Sequence, residues 1–329
     1  MNWNNLPVLV TGAGGFIGSH LVERLVAEGA RVRALVHYNS RNDPGLLKLL
    51  PEDALAAVEL MPADLLDPYA VQQAVDGMEI VFHLGALISI PYSYRHPYHV
   101  AETNVMGTLN ILQACREAGV RRLVHTSSSE VYGTALRVPI DEGHPLQGQS
   151  PYSASKIGAD KLAESYFCAY ELPVVTLRPF NTYGPRQSDR AVIPTIITQA
   201  LTQDVVHLGN LDARRDLTYV TDTVEGFTKV SEASNVEGKT YNLGAGSDIS
   251  VGELAEKIIK IVGRSVKIDV DEARLRPERS EVQRLLADNT LAKKDLGWEP
   301  RISLAEGLRR TIEWISDNLE LYEPGRYQV

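Results

Sequence analysis

One stretch near the start limits what this chain can fold into more than any other. Leu6 to Val10 is a short apolar run, Thr11-Gly12-Ala13-Gly14-Gly15-Phe16-Ile17-Gly18 follows it, and Ser19 to Glu28 reads as an amphipathic helix. A strand that turns through glycines into a helix makes a seat for a diphosphate. Gly12 and Gly15 let the backbone approach the anion at the helix N-terminus, where amide N–H groups and the helix dipole favour negative charge, and Gly18 permits close helix–strand packing.

Strand and helix continue to alternate. Apolar strands are expected at Arg31–Val36, Ala57–Met61, Ile80–Leu84, Leu123–Ser127 and Val174–Leu177, with helices at Tyr69–Val75, Tyr98–Ala118 and Tyr152–Tyr170. That pattern predicts an α/β fold built on a Rossmann-type doubly wound parallel sheet, whose ligands sit beyond the carboxyl ends of its strands. Three segments arrive there together: Gly85 to Tyr92, Ser127 to Gly133 and Pro179 to Arg186. A carboxylate at the end of the second strand would bind an adenosine 2′-hydroxyl, but Val36-His37-Tyr38-Asn39-Ser40-Arg41 has none. His37, Ser40 and Arg41 could instead accept a 2′-phosphate, or form only a solvated loop. Asp64, ending the third strand, could bond an adenine amino group or cap the next turn.

The composition suits one large or two joined domains, with 44% hydrophobic and 23% charged residues over 329 positions. A net charge of −9 argues against a nucleic-acid or anionic-membrane surface. No apolar stretch approaches the roughly 20 residues that span a bilayer, and no basic region leads into an apolar run at the N-terminus. Cys115 and Cys168 lack metal-like spacing and are expected as buried free thiols, so no metal site and a cytoplasmic location are expected.

Ser150-Pro151-Tyr152-Ser153-Ala154-Ser155-Lys156 carries the chemistry. With Ser150 as cap and Pro151 in the first turn, Tyr152 and Lys156 project from one helix face. An ammonium near a phenol is expected to favour the phenolate, so that the Tyr can exchange a proton near neutral pH despite an ordinary pKa of about 10.

Taken in order, Gly12-x-x-Gly15-x-x-Gly18, Ser127-Ser128-Ser129-Glu130-Val131-Tyr132-Gly133, Tyr152-x-x-x-Lys156, Arg178-Pro179-Phe180-Asn181-x-Tyr183-Gly184-Pro185, Arg215-Asp216-Leu217-x-Tyr219-Val220 and Arg276-Pro277-Glu278-Arg279 span nearly the whole chain. Together they resemble the extended short-chain dehydrogenase/reductases that modify nucleotide sugars, and within them the 4,6-dehydratases. Tyr38-Asn39-Ser40, Gly184 to Ser188 and Ala191 to Ile197 look closest to the GDP-N-acetylglucosamine 4,6-dehydratases of legionaminic acid synthesis.

The resemblance implies that Ser128, Tyr152 and Lys156 oxidise the sugar at C4, with Glu130 as base for the C5 proton. Ser129 stands where dTDP-glucose 4,6-dehydratases carry an Asp acid, so Glu130 would act first as base and then as acid, or through a water. Hydride held on the nicotinamide would return to C6 after water leaves, consuming no external reductant. UDP-glucuronate decarboxylases and 4-epimerases share the first step and remain alternatives. The closed hydride cycle implies a tightly bound NAD(P)+, with NADP weakly preferred because Val36 stands where a carboxylate would select NAD, contacted by Gly12, Gly15, Phe16, Ile17, Gly18, His37, Ser40, Arg41, Asp64, Leu65, Leu84, Ala86, Tyr152 and Lys156. A nucleotide-diphosphate sugar would meet Ser89, Pro91, Asn181, Arg186, Ile193, Pro194, Arg215 and Arg276, the arginines binding the diphosphate. Two long helices would pair with a second subunit's as a four-helix bundle, giving a homodimer.

Beyond Arg178 the strict alternation breaks. A helix at Val192–Leu201, a strand at Val205–Leu208 and helices at Val251–Val262, Leu291–Leu296 and Leu304–Asn318 read as a smaller C-terminal substrate-binding domain. The nucleotide domain is expected at residues 1–178 with about 218–245, and the substrate domain at 179–217 and 246–329.

Overall fold

The computed structural model describes residues 2–325. In chain order the elements are β1 (Pro7–Thr11), α1 (Phe16–Ala27), β2 (Arg31–His37), α2 (Glu52–Ala56), β3 (Glu59–Ala63), α3 (Pro68–Val75), β4 (Ile80–His83), α4 (Ile90–Arg95), α5 (Pro97–Ala101), α6 (Gly107–Ala118), β5 (Arg122–Thr126), α7 (Pro151–Tyr170) and β6 (Val174–Pro179). There follow β7 (Asn181–Tyr183), α8 (Val192–Thr202), β8 (Val205–Leu208), β9 (Arg214–Tyr219), α9 (Val220–Glu232), β10 (Thr240–Leu243), β11 (Asp248–Ser250), α10 (Val251–Val262), β12 (Lys267–Val270), α11 (Thr290–Leu296) and α12 (Leu304–Asp317).

Seven parallel strands in the order β10-β6-β5-β4-β1-β2-β3 form the central sheet. Both faces are covered, as the near-continuous apolar strands require. Val8, Val10, Ile80, Phe82, Val124 and Val175 point into one core, while Leu9, Val81, Leu123 and Val174 between them point into another. Helices α1 and α9 pack together, and α6 packs against α3 and α7. The strand order reverses beside β1, whose neighbours are β2 and β4, and such a reversal opens the crevice in which these sheets bind ligands.

The remaining strands form two small sheets, β11-β9-β7 and β12-β8. Trp298, fully buried, donates from Nε1 to the Asp222 carbonyl 2.8 Å away and so fastens the C-terminal segment to α9.

The long helix expected over Tyr98–Ala118 is interrupted. Residues Glu102–Met106 take a π turn between α5 and α6. There the buried Asn104 side chain binds Leu87 N (2.8 Å), Leu87 O (3.0 Å) and Ser155 Oγ (2.9 Å), which fixes its orientation at a break of the kind often found at functional sites. Helix α4 was not foreseen, because Pro91 and the surrounding short run read as a loop; Ser89 caps it and Pro91 sits in its first turn. Cys115 is buried, but Cys168 is exposed near the C-terminal end of α7, against the expectation that both are buried. No described helix is long and apolar enough to cross a membrane.

Candidate active site

The glycine turn has the shape its sequence requires. Gly12 is left-handed (φ +66°), and a Cβ there would lie 2.8 Å from Gly85 N; at Gly18 a Cβ would lie 2.2 Å from Gly12 O. Gly15 caps α1 with no side-chain hydrogen bond, leaving the first amides of the helix to an anion. The backbone is packed too closely at Gly12 and Gly18 for a Cβ, and the free amides at the start of α1 fit a dinucleotide diphosphate. Behind it, Thr11 Oγ1 meets His83 Nδ1 at 2.8 Å and accepts from Gly85 N at 3.0 Å, while His83 Nε2 meets Thr108 Oγ1 at 3.1 Å.

The outer cofactor residues are spread along the same strand ends. His37, Ser40 and Arg41 are all exposed after β2, where Asn39 holds the loop through bonds to Arg41 N, Asp43 N and Asp43 O. Asp64 Oδ1 accepts from Leu66 N at 2.9 Å and so caps its turn. Leu65 is buried against Gly85, Leu84 and Ala86 are half-buried, and Phe16 and Ile17 open α1.

Ser150 and Ser153 form a reciprocal capping box at the start of α7, with Pro151 in the first turn, which fixes where Tyr152 and Lys156 point. Both are buried, and the Tyr152 ring packs with Ile90 and Val100, with Leu87, Tyr92 and Tyr94 alongside. Their electrostatics differ from expectation. Lys156 Nζ donates to Thr126 O at 2.7 Å. Burial pushes the Tyr152 phenol up to about 12, the Ser128 hydrogen bond pulls it back, and the Glu130 and Asp160 carboxylates push it up again. The group that favours the phenolate in this structure is therefore the Ser128 hydroxyl, because the ammonium is directed to a carbonyl. Burial brings Lys156 down to about 8, against the pull of Asp160.

Ser128 also caps the short turn Ser129–Tyr132, accepting from Glu130 N at 3.2 Å, so the hydroxyl and the carboxylate-bearing residue share one turn. Ser129 is buried in it and Glu130 half-buried. The Glu130 charge acts on both Tyr152 and Arg215. Arg215 and Arg276 converge on Glu281, at 3.3 and 3.7 Å. Asn181 Oδ1 is buried with no hydrogen-bond partner.

Two expected substrate groups are placed elsewhere. Arg186, in a left-handed conformation, pairs with Glu23 of α1 at 2.8 Å. Ile193 and Pro194 are buried at the start of α8, Ile193 within the larger core, so neither is an open wall. Ser89 stays beside the site: it caps α4, accepting from Tyr92 N, next to Ile90 and Tyr92, which pack with Tyr152.

Four residues given no role from the sequence lie under this site: Asp160 and His125, which stand in no motif, and Arg178 and Tyr132, which stand in motifs but were assigned nothing. Asp160 accepts from Ser127 Oγ at 2.8 Å and from Arg178 at 3.0 and 3.2 Å, and Arg178 Nη1 reaches the Tyr132 hydroxyl at 2.9 Å. A carboxylate one turn after Lys156 was the available signal. Among the described residues no group of three or more His, Cys, Asp or Glu could hold a metal.

A tight glycine turn between β1 and α1, with the half-buried Ser128 beside the buried Tyr152 and Lys156 on a doubly wound sheet, is the arrangement of an enzyme of the extended short-chain dehydrogenase/reductase class. Residues 9–311 match the family described as GDP-mannose 4,6 dehydratase, and the chain belongs to that family of nucleotide-sugar dehydratases and epimerases. Its sequence is 36% identical over 316 residues to the UDP-glucose 4-epimerase of Mycolicibacterium smegmatis, covering 94% of this chain and 98% of that one. Its fold matches DesIV, the dTDP-glucose 4,6-dehydratase of Streptomyces venezuelae solved with NAD bound (TM-score 0.86, 31% identity, 96% and 98% of the two chains). It matches similarly the UDP-glucose 4-epimerase of Thermotoga maritima solved with UDP-glucose (TM-score 0.85, 29% identity, 95% and 99%). The cofactor is of the NAD(P) type.

Proposed function

We propose that this chain is an NAD(P)-dependent nucleotide-sugar 4,6-dehydratase. The observation that carries the reading is Glu130, a carboxylate on the same turn as Ser128 whose charge reaches Tyr152, since oxidation at C4 alone requires no carboxylate there. Bound NAD(P)+ supplies a hydride acceptor that later acts as donor. Tyr152 takes the proton of the sugar 4-hydroxyl while Ser128 hydrogen-bonds that oxygen. The resulting 4-ketone acidifies C5, Glu130 removes the C5 proton, and hydroxide leaves C6 with a proton as water. A proton returned to C5, with hydride to C6, completes the 4-keto-6-deoxy sugar. Arg215 and Arg276 would hold the diphosphate and Asn181 would donate to it through its amide. GDP-N-acetylglucosamine is the substrate we favour, on the three segments that resemble such enzymes.

A 4-epimerase or a decarboxylase would share only the first step. Mass spectrometry after incubation with GDP-N-acetylglucosamine, UDP-glucose, dTDP-glucose and UDP-glucuronic acid separates the three. Loss of water is the expected result; loss of carbon dioxide, or an isomer of unchanged mass, would overturn it.

The division into a nucleotide domain (1–178 with about 218–245) and a substrate domain is part of this reading, as are a cytoplasmic location and a place in polysaccharide biosynthesis. So is NADP preference, since Ser40 and the exposed Arg41 follow β2 with no carboxylate between. Arg41→Ala should weaken NADP+ binding about tenfold and leave NAD+ unchanged, measured by calorimetry on cofactor-free protein. Equal affinity of the unaltered protein for both would refute the preference.

A homodimer through α5, α6 and α7 also belongs to the proposal. Val105, Leu109 and Leu162 are half-buried and Met106 is exposed, whereas Leu112 faces the sheet and would take no part. Light scattering at micromolar concentration should give twice the 36.2 kDa chain mass, and a monomer would refute the pairing.

A further inference from the structure

Asp160 stands one helical turn after Lys156 on α7 and is 5% exposed. Its Oδ1 meets His125 Nε2 at 3.1 Å, and its Oδ2 accepts from Ser127 Oγ and from Arg178 Nε and Nη2. Arg178 then donates to the Tyr132 hydroxyl, which donates to Asn242 Oδ1 at 2.7 Å. Tyr132 closes the turn that carries Glu130, and Thr126 at the end of β5 accepts from Lys156. One carboxylate thus ties α7, β5 and β6 together and, through Arg178, reaches the turn that carries Glu130.

Burying so many charged groups is a poor way to gain stability, because desolvation offsets most of the Coulomb gain. A role in holding the site is the better account. Asp160 on α7, His83 on β4 and His125 on β5 face Lys156, and Arg178 on β6 lies beyond Asp160, to which it is bonded. His83 and His125 are held neutral, chiefly by burial. Burial pushes the Asp160 carboxyl up, but the His125 hydrogen bond and the neighbouring positive charges together bring it below the usual range, so it stays ionised. Asp160 is the group that raises Lys156 against its burial.

We propose that Asp160 is a positioning residue for the C4 oxidation: one helical turn after Lys156 and bonded to His125, Ser127 and Arg178, its carboxylate is the fixed counter-charge of the buried Lys156 ammonium and, through Arg178 and Tyr132, braces the turn that carries Glu130. The inference rests on the proposed reading of Tyr152 as the base at the 4-hydroxyl and of Lys156 as the cation that would hold the nicotinamide ribose. Its signature is a pH profile. In the holoenzyme, Asp160→Asn should move the alkaline limb of C4 oxidation, followed as reduced nicotinamide absorbance with the panel sugar that the unaltered enzyme oxidises, about one unit or more towards acid. The rate above pH 8 then falls about tenfold, with less than about a twofold change near pH 6.5. NAD+ affinity, read by quenching of tryptophan fluorescence without any sugar, should show the same shift, and Asp160→Glu should restore the limb.

Asp160→Asn leaves Arg178 buried without its counter-charge, so the companion variant Asp160→Asn/Arg178→Met removes both charges and should keep the shift with a melting temperature near that of the unaltered protein. A folded variant of either kind with an unmoved limb, or with a uniform loss at every pH, would overturn the proposal. Tyr152→Phe distinguishes the two levels of failure. If it still oxidises sugar, the base at the 4-hydroxyl is itself misassigned; if it is inactive while the limb stays fixed, only the role of Asp160 falls.

Discussion

Glu130→Gln should still transfer hydride from sugar to cofactor yet form no dehydrated product, so that reduced nicotinamide absorbance rises and persists. Glu130 shares the Ser128 turn, but Ser128 and Tyr152 alone contact the 4-hydroxyl in this mechanism, so the amide spares the oxidation. Removing the C5 proton needs a base, and its loss is expected to slow turnover by about 100-fold or more. Tyr152→Phe should block the first step instead, leaving neither absorbance nor product, with a loss of about 1,000-fold or more. Circular dichroism would show both variants folded, since each change is nearly isosteric. Dehydration by Glu130→Gln at close to the unaltered rate would make Glu130 structural and remove the chemical support for a dehydratase.

Gly18→Ala is the second large effect. The added Cβ would lie 2.2 Å from Gly12 O and 2.9 Å from Ala13 Cα, and both neighbours are backbone, so relief requires opening the turn that seats the diphosphate. NAD(P)+ affinity should fall about 100-fold, with a stability loss of about 2 to 3 kcal/mol. Gly77→Ala is the control, because a Cβ there meets nothing within 4 Å. It too has a left-handed backbone, at φ +74°, so it should lose about 1 kcal/mol by strain and nothing in affinity. Calorimetric titration with thermal melts separates the two, and unchanged affinity in Gly18→Ala would place the diphosphate elsewhere.

The parts of the fold that could be read from the sequence are those set by local pattern. Apolar runs of five or so residues between glycines and amphipathic helices have one outcome, a parallel sheet covered on both faces, and β1 through β6 follow from it. The cap of α7 was equally local, Ser150 bonded to a residue three positions on. What depended on distant partners was hidden. Arg186 has the spacing of a phosphate ligand, but Glu23, 163 residues away, takes it. Asp160 looks like one more polar residue on a helix until β5 and β6 close over it. The π turn at Glu102–Met106 is invisible to helical periodicity, and the partner its Asn104 meets, Leu87, lies 17 residues earlier in the chain. The effect of Lys156 on Tyr152 was misjudged for a similar reason, since spacing on a helix says nothing of the Thr126 carbonyl that receives the ammonium.

In the proposed mechanism one carboxylate, Glu130, turns a C4 oxidation into a dehydration with hydride recycled inside the site. Running the reaction in deuterium oxide and locating the label by NMR tests it most directly. The unaltered enzyme should yield a 4-keto-6-deoxy sugar with one solvent deuterium at C5, without added reductant. A dehydrated product with no solvent deuterium at C5, or a 4-epimer carrying no label, would contradict it.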